Sequence, residues 1–475
     1  MTDTAVPTEA VRPISPKAAV ARPRGPRRAP GDLPFSFADR ALAERVASER
    51  DEPDWLRHDR LDAIAAFDRL PTEANQLYTP YLDLRSADLF SVEPYVTAAL
   101  GPAGRGDLPD DVDGLIELRE DEVVVAALSG AARAAGVSLE TLGSFVARDP
   151  DAARRILEGG GTLPASDRFA QLSRGLWNQG VHLAVPDGAR LERPILVRWA
   201  AGRPSRALIT RMLVSVGDGA TLSLVEEQVA SGAEAMAADA AQALFAGTTE
   251  LVIGRDADVR VASLQTFGSN QVAFAHRQAS VGEGSSLRWA VAQLGGRLVR
   301  SRIDNRLIGD RSSVDQAEIV FGSAGQLIDL TSYTWHFGRD TTGYLLSKGA
   351  LRDDARSFLK GLITIDRSAV GTDSFLGEFG MNLSRRARAV AVPSLEIDQP
   401  DCRRAAHSSS VGPIDETQVF YLESRGIADD EARKFIVLGF LEPVVARIPL
   451  PAVQDRVREL LDEKWSGGAE RRAAA

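Results

Sequence analysis

Residues 393–443 read PSLEIDQPDCRRAAHSSSVGPIDETQVFYLESRGIADDEARKFIVLGFLEP. Leu395 and Ile397, two apart, mark a short strand. A polar loop follows and carries the only cysteine, Cys402, and one of five histidines, His407. After Gly412 and Pro413 the pattern turns helical. Asp415 with Gln418 three residues on is a capping-box pair, in which each side chain can satisfy an orphaned backbone N–H. Val419 and Leu422 recur at helical spacing, and Gly426 stands where a helix stops in a left-handed turn. A second helix is expected from about Asp429, with Ala432, Phe435, Ile436 and Phe440 on one face.

Upstream, from Val181 to Ile397, the chain is β-rich, with alternation such as Leu222-Ser223-Leu224-Val225 and Val259-Arg260-Val261. Turn-like clusters recur at Asp218-Gly219, Asp256–Asp258, Gly282–Ser286, Gly309–Ser313, Arg339–Gly343, Arg352–Ala355 and Asp366–Gly371. From the third to the fifth the spacing is roughly 27–29 residues, and then about 13–14, the long period of a solenoid. In a β-solenoid each coil stacks on the next, so apolar residues form ladders and turns form corners. An antiparallel sandwich also spaces its turns regularly and is the structural alternative.

The flanks read as helices. Ala41, Ala43, Val46 and Ala47 precede a break at Pro53, and Trp55, Leu56, Leu61, Ile64, Ala65 and Phe67 follow it. A further helix is expected near Leu139–Ala147, and a last one, striped by Val453, Val457, Leu460 and Leu461, up to about Trp465. The expected division is a disordered tail over 1–33, a mainly helical unit over 34–165, a β core over 166–412, a helical unit over 413–466 and a frayed end over 467–475. The tail is rich in Pro, Ala and Arg and has no apolar signal region. Its prolines and early acids, Asp3 and Glu9, weigh against an organellar transit peptide.

A chain of 475 residues can bury a large core, and 44% hydrophobic with 26% charged residues is ordinary for a globular protein. The net charge of −10 argues against a nucleic-acid binder. No apolar run reaches the ~20 residues that span a bilayer, so no membrane partner is expected. A single cysteine excludes an intramolecular disulfide, which fits a reducing cytoplasm. It also excludes a self-contained four-cysteine metal cage. HExxH, paired CxxC, GxSxG and Walker A segments are all missing.

Taken together, Pro393–Ile397, His407, Val411-Gly412, Phe420–Leu422, Ser424–Ile427 and Gly439-Phe440 resemble the C-terminal signature of the SufB/SufD family, scaffold subunits of the SUF iron–sulfur cluster assembly machinery. A weaker likeness runs back through about 190–390 and into Glu52-Pro53 and Trp55-Leu56. The resemblance implies a right-handed parallel β-helix core between helical units and a non-catalytic scaffold role. It further implies pairing with a SufB-like subunit through the β-helix and docking of a SufC-like ATPase on the C-terminal helices. The cargo would be a nascent cluster, built at the interface between the two scaffold subunits and passed on, with help in iron acquisition. No cofactor would be held permanently by this chain alone, and no flavin motif is present. SufB-like members carry a cysteine and a glutamate where this chain has Ala387 and Ser408, which places it on the SufD-like side. Ser374–Asn382 departs from the family's Gln/Asn-rich run.

His407 is the leading candidate ligand, because a small polar setting (Ala405-Ala406 before it, Ser408–Ser410 after) leaves the imidazole open to iron or a proton. The competing reading is a loop histidine bonded to the backbone. Cys402 lies five residues before His407, whereas many SufD-like chains place a cysteine two before, where Ala405 stands here. It is either a ligand or an inert small hydrophobe. Phe420, Tyr421, Arg425, Phe435 and Phe440 mark the expected docking neighbourhood, although most of these aromatics read as core. His336, flanked by Trp335 and Phe337, reads as a satisfied core histidine, although it aligns with a histidine recurrent in the family. The rival function is a β-helix carbohydrate enzyme using Glu396, Asp398 and Asp401, or Asp353 with Asp354. A third reading is a structural partner without cluster ligands.

Overall fold

The computed structural model describes residues 35, 37–96, 108–237 and 239–473, with side chains up to 467. The expected tail lies outside the described residues. From Gln179 to Pro413 the chain alternates between two sheets, one strand in each per coil, through about eight coils. Every pairing along this stack is parallel and in register, which excludes the antiparallel sandwich. The pairs Asp258↔Ser286, Ser286↔Ser313, Ser313↔Thr342, Thr342↔Asp373 and Asp373↔Arg404 give steps of 28, 27, 29, 31 and 31 residues. The spacing read from the turn clusters is therefore the coil length. The shorter interval reflects corners on opposite edges, since Arg352–Ala355 belongs to the other edge from Arg339–Gly343 and Asp366–Gly371.

One corner explains the sequence pattern. Gly188, Gly219, Asp256, Gly284, Arg311, Asp340 and Gly371 all have positive φ, between 52° and 76°. Each donates its N–H to a carbonyl of the next coil, from Gly188 to Asp218 at 2.8 Å through to Gly371 to Asp401 at 2.8 Å. Gly and Asp recur there because they tolerate the left-handed region best. Beside this ladder the backbones approach closely: a Cβ on Gly338 would stand 2.2 Å from the Gly309 carbonyl oxygen.

Inside, inward side chains stack in columns. Ile195, Leu224, Val261, Trp289, Gln316, Leu345, Leu376 and His407 form one such column by register. Its apolar members up to Leu376 are buried. The outer face of the first sheet is covered by Arg40–Glu49, Asp54–Arg69 and Arg168–Leu176, whose Leu42, Val46, Ile64, Phe67, Phe169 and Leu172 pack on Ile209, Leu244 and Phe274. The outer face of the second sheet is covered by Asp429–Val445 and Pro451–Ala473 through Val437, Leu441, Val444, Val457, Leu461 and Trp465. The last helix thus runs beyond its expected stop near Trp465.

One expectation is revised. The 34–165 unit also contributes strands: Gly114–Arg119 pairs parallel with Ile195–Ala201 and antiparallel with Glu122–Leu128, while Ser138–Thr141 pairs antiparallel with the first strand of the other sheet. The helix expected over Leu139–Ala147 is accordingly that strand followed by a short helix, Leu142–Arg148. Here ladder pairing overrides local propensity. These antiparallel strands close the first end of the solenoid.

Gly338→Ala should lower stability by about 1–3 kcal/mol or more, because the added methyl meets backbone rather than a flexible side chain. Urea denaturation of the purified chain measures it, and an unchanged midpoint would refute the corner packing.

Candidate functional site: the open end of the solenoid

Among the described residues nothing closes the other end: Arg388–Ile397 and Arg404–Pro413 each pair on one side only and form the outer edges of the two sheets. His407 is therefore in the last strand and not in a loop, which corrects the sequence expectation. Pairing with Asp373–Asn382 draws the small polar run Ala405–Ser410 into the ladder despite its weak strand propensity. His407 continues the inward column over Leu376 and is exposed because no further coil covers it. Val411 and Ile397, in the same situation over Gly380 and Ile365, are exposed as well.

Cys402 occupies the loop before this strand, one residue after the Asp401 carbonyl that ends the corner ladder. It is free, half-buried, and packs with Leu395 and Ala405 against Leu345, Ile363, Ile365, Ala369 and Leu376. The fold thus brings Cys402 and His407 to the same end of the solenoid, with the cysteine turned to the core cluster.

The helical unit follows directly. Asp415 caps Glu416–Glu423 by accepting the Thr417 N–H at 2.9 Å, and Gly426 is left-handed at φ 85°. Arg433 joins the helices by donating to Glu416 and Asp429, at 2.8 and 2.9 Å. The buried face of the second helix is Ala432, Val437, Leu441 and Val444, so Phe435 is turned off it. Phe420, Tyr421 and Phe435 are 69, 57 and 59% exposed, which corrects their reading as core; Arg425 lies over the Tyr421 ring at 5.2 Å. Phe440 is the exception, half-buried with the Lys348 ammonium 4.6 Å from its ring centre. Burial alone could not be read from the helix because apolar residues occur on more than one face.

His336 is buried and bonded on both nitrogens, to Thr341 Oγ1 at 2.8 Å and Ser374 Oγ at 3.0 Å. Desolvation pushes its pKa down to about 3, so it is neutral, a satisfied core histidine as expected. The acids of the rival reading serve other ends. Asp353 Oδ2 accepts the Ala324 N–H at 2.9 Å and Asp354 pairs with Arg386 at 2.8 Å, while Glu396, Asp398 and Asp401 are exposed.

Sequence reasoning missed a second set of buried charges. On the outer face of the first sheet His276 bonds Asp304 at 2.7 Å and lies 3.6 Å from Asp167, with Arg302 bonded to both acids. These carboxylates hold the His276 pKa up against its burial. Nearby, Arg300 pairs with Glu73 at 2.6 Å and Lys360 with Asp329 at 2.7 Å. The charges are scattered between residues 73 and 360, so only the coil register reveals them as neighbours.

The chain is thus a parallel β-solenoid flanked by helices, with an exposed inward column at one end and exposed aromatics on its C-terminal helix pair. The family model for the SUF system FeS cluster assembly SufBD core domain matches residues 197–440. The iron–sulfur cluster assembly protein SufD of Bacillus subtilis is 25% identical over 90% of this chain and 98% of its own length. A SufBD family protein of Staphylococcus epidermidis is 24% identical over 88% of this chain and 92% of its own. This chain belongs to the SufB/SufD family of iron–sulfur cluster assembly proteins and is SufD-like.

The depressed pKa of His336 sets a pH dependence. The unfolded imidazole titrates near 6.5 and the folded one near 3, so its stabilising contribution is complete above about 6.5 and is lost as pH falls towards 3. Between pH 7 and 5 the wild type should lose about 2 kcal/mol that His336→Gln does not. Urea titrations of both proteins at the two pH values test this, and equal losses would refute it.

Proposed function

We propose that this chain is a cytoplasmic, non-catalytic scaffold subunit that pairs through the open end with a SufB-like subunit and docks a SufC-like ATPase on the C-terminal helix pair. The observation that carries the reading is the last coil: inward positions that are buried in every earlier coil, His407 among them, stand exposed on two edge strands whose outer sides have no partner among the described residues. Edge strands with apolar neighbours are templates for another chain. A SufB-like chain placed there would cover Ile397 and Val411 and meet His407 at the seam.

The cluster is cargo. His407 supplies an imidazole to it, and the partner supplies thiolate and the remaining ligands, since this chain has one cysteine and it faces the core cluster. Phe420, Tyr421 and Phe435, with Arg425 at their side, form the docking surface for the ATPase. A nucleotide-driven movement of that partner would bias the arrangement of the seam, provided that the nucleotide states differ in affinity for its two arrangements. Iron acquisition is the accompanying role.

In anaerobic co-expression with the two partners, His407→Ala should leave the complex intact and reduce reconstituted cluster several-fold. Unchanged yield would leave the chain as a structural platform without ligands. Phe420→Ala combined with Phe435→Ala should keep the isolated fold, because both rings are exposed, while weakening capture of the ATPase at least tenfold by calorimetry. Undiminished capture would refute the docking surface.

A further inference from the structure

The second inward column adjacent to His407 is polar. By register it runs Val197, Glu226, Ser263, Val291, Glu318, Ser347, Glu378 and Ser409, ending on the last strand. Three glutamates inside a solenoid require an account, because a buried carboxylate without a counter-charge is strongly disfavoured. Glu226 has one: Arg277 donates to it at 2.8 Å, and Ser263 at 2.7 Å. Glu318 has only neutral partners, Gln316, Ser332 and Ser347. Glu378 has less still. Its Oε2 accepts the Val392 N–H at 3.0 Å, and the residue is 1% exposed with no basic side chain hydrogen-bonded to it among the described residues.

Glu378 is also at a particular place. Val392 lies on one edge strand, and Ser409, the register partner of Glu378, lies on the other. Gly361 leaves room for the carboxyl group, since a Cβ there would be 2.8 Å from Glu378 Oε1. The side chain thus lies directly beneath the last coil, one column from His407. The charged and titratable groups acting on it are Glu318 below, Lys360 on the opposite sheet, engaged by Asp329, and Tyr78 of the N-terminal layer. Burial first, and then Glu318, disfavour its charged form.

We propose that Glu378 is the charge-balancing group of the open end: a neutral carboxylic acid while that end is empty, which ionises when a divalent cation is seated there. The step is balanced as one O–H bond broken in the carboxyl group, one proton released to water, and one carboxylate charge left beneath the cation. This rests on the reading of the open end as the place where iron is received.

The experiment uses the full chain with its SufB-like partner, under argon, probed with ferrous iron alone. Infrared difference spectra report the carbonyl stretch of a protonated carboxylic acid, and a weakly buffered pH indicator reports proton release. At pH 7 the wild type should show carboxylic-acid absorption from Glu318 and Glu378, and Glu378→Gln should lose the iron-responsive part of it. On iron addition the wild-type band should fall, with about one more proton released per iron than in Glu378→Gln and iron affinity about tenfold higher. Absence of the band from the wild type would overturn the proposal. So would a band that ignores iron while His407→Ala still weakens iron binding, an outcome that leaves the reading of the open end intact. If iron binding is indifferent to both substitutions, the open-end reading fails, and the inference falls with it. Gly361→Ala, which crowds the same oxygen without removing it, should shift the band while Glu318→Gln leaves the iron response in place; loss of the response in Glu318→Gln would move the assignment from Glu378.

Discussion

In-register parallel stacking is the constraint on which the molecule depends. Each coil is too thin to bury its own inward side chains, so it is stable only when another surface lies on either side. At the first end the problem is solved within the chain, by Gly114–Arg119, Glu122–Leu128 and the antiparallel Ser138–Thr141 strand. At the other end the column ends in His407 and its neighbours end in Ser409 and Val411, and among the described residues no strand pairs above them. The two ends therefore differ in how their inward side chains are covered. The capped end keeps its apolar residues covered, whereas Ile397 and Val411 stand exposed at the other.

The two outer faces are covered by different physics. The second sheet meets its helices through small and apolar residues: Ala262, Ala290 and Ala317 leave room for Val437, Leu441 and Val457, and Phe321 stacks on Trp465 with ring centres 6.1 Å apart. The first sheet meets the N-terminal layer partly through charge: His276 and Arg302 face Asp167, and Arg300 pairs with Glu73. Buried pairs of this kind add little net stability over apolar packing but are costly to mismatch. They therefore fix the register of the N-terminal layer on the coils more than they hold it down. Hydrophobic packing there falls to Phe35, Phe169 and Phe274, whose rings meet one another.

Much of this was legible in the sequence, for local reasons. Corners demand left-handed residues, and Gly219, Asp256, Gly284 and Gly371 announce them at the coil period, so both the solenoid and its repeat could be read. The helix stop at Gly426 was legible for the same reason. What could not be read were properties that depend on distant chain. Ala405–Ser410 has the composition of a loop and becomes a strand only because Asp373–Asn382 offers a ladder. Phe435 shares a helical face with Ala432 on paper, yet the solenoid lies against Val437 and Leu441 instead. The acids of the interior, Glu318 and Glu378, look like ordinary outward residues of alternating strands until register places them inside.

The helix pair and the open end are mechanically one unit. Pro413 ends the last strand and Asp415 opens the first helix, so only Ile414 separates the exposed edge from the aromatic surface. Ile414 is buried with Val419 and Ala432 of the two helices and packs on Met381 and Leu383, which belong to the preceding coil of the same sheet. A displacement of the helices is thus delivered to two places at once: covalently to the strand bearing His407, and by packing to the Asp373–Asn382 strand that bears Glu378. Because packed cores favour discrete arrangements over continuous deformation, the last two coils would respond together to a force applied at Phe420 and Phe435. That is the connection a scaffold requires if an event at its helices is to alter a site at its seam.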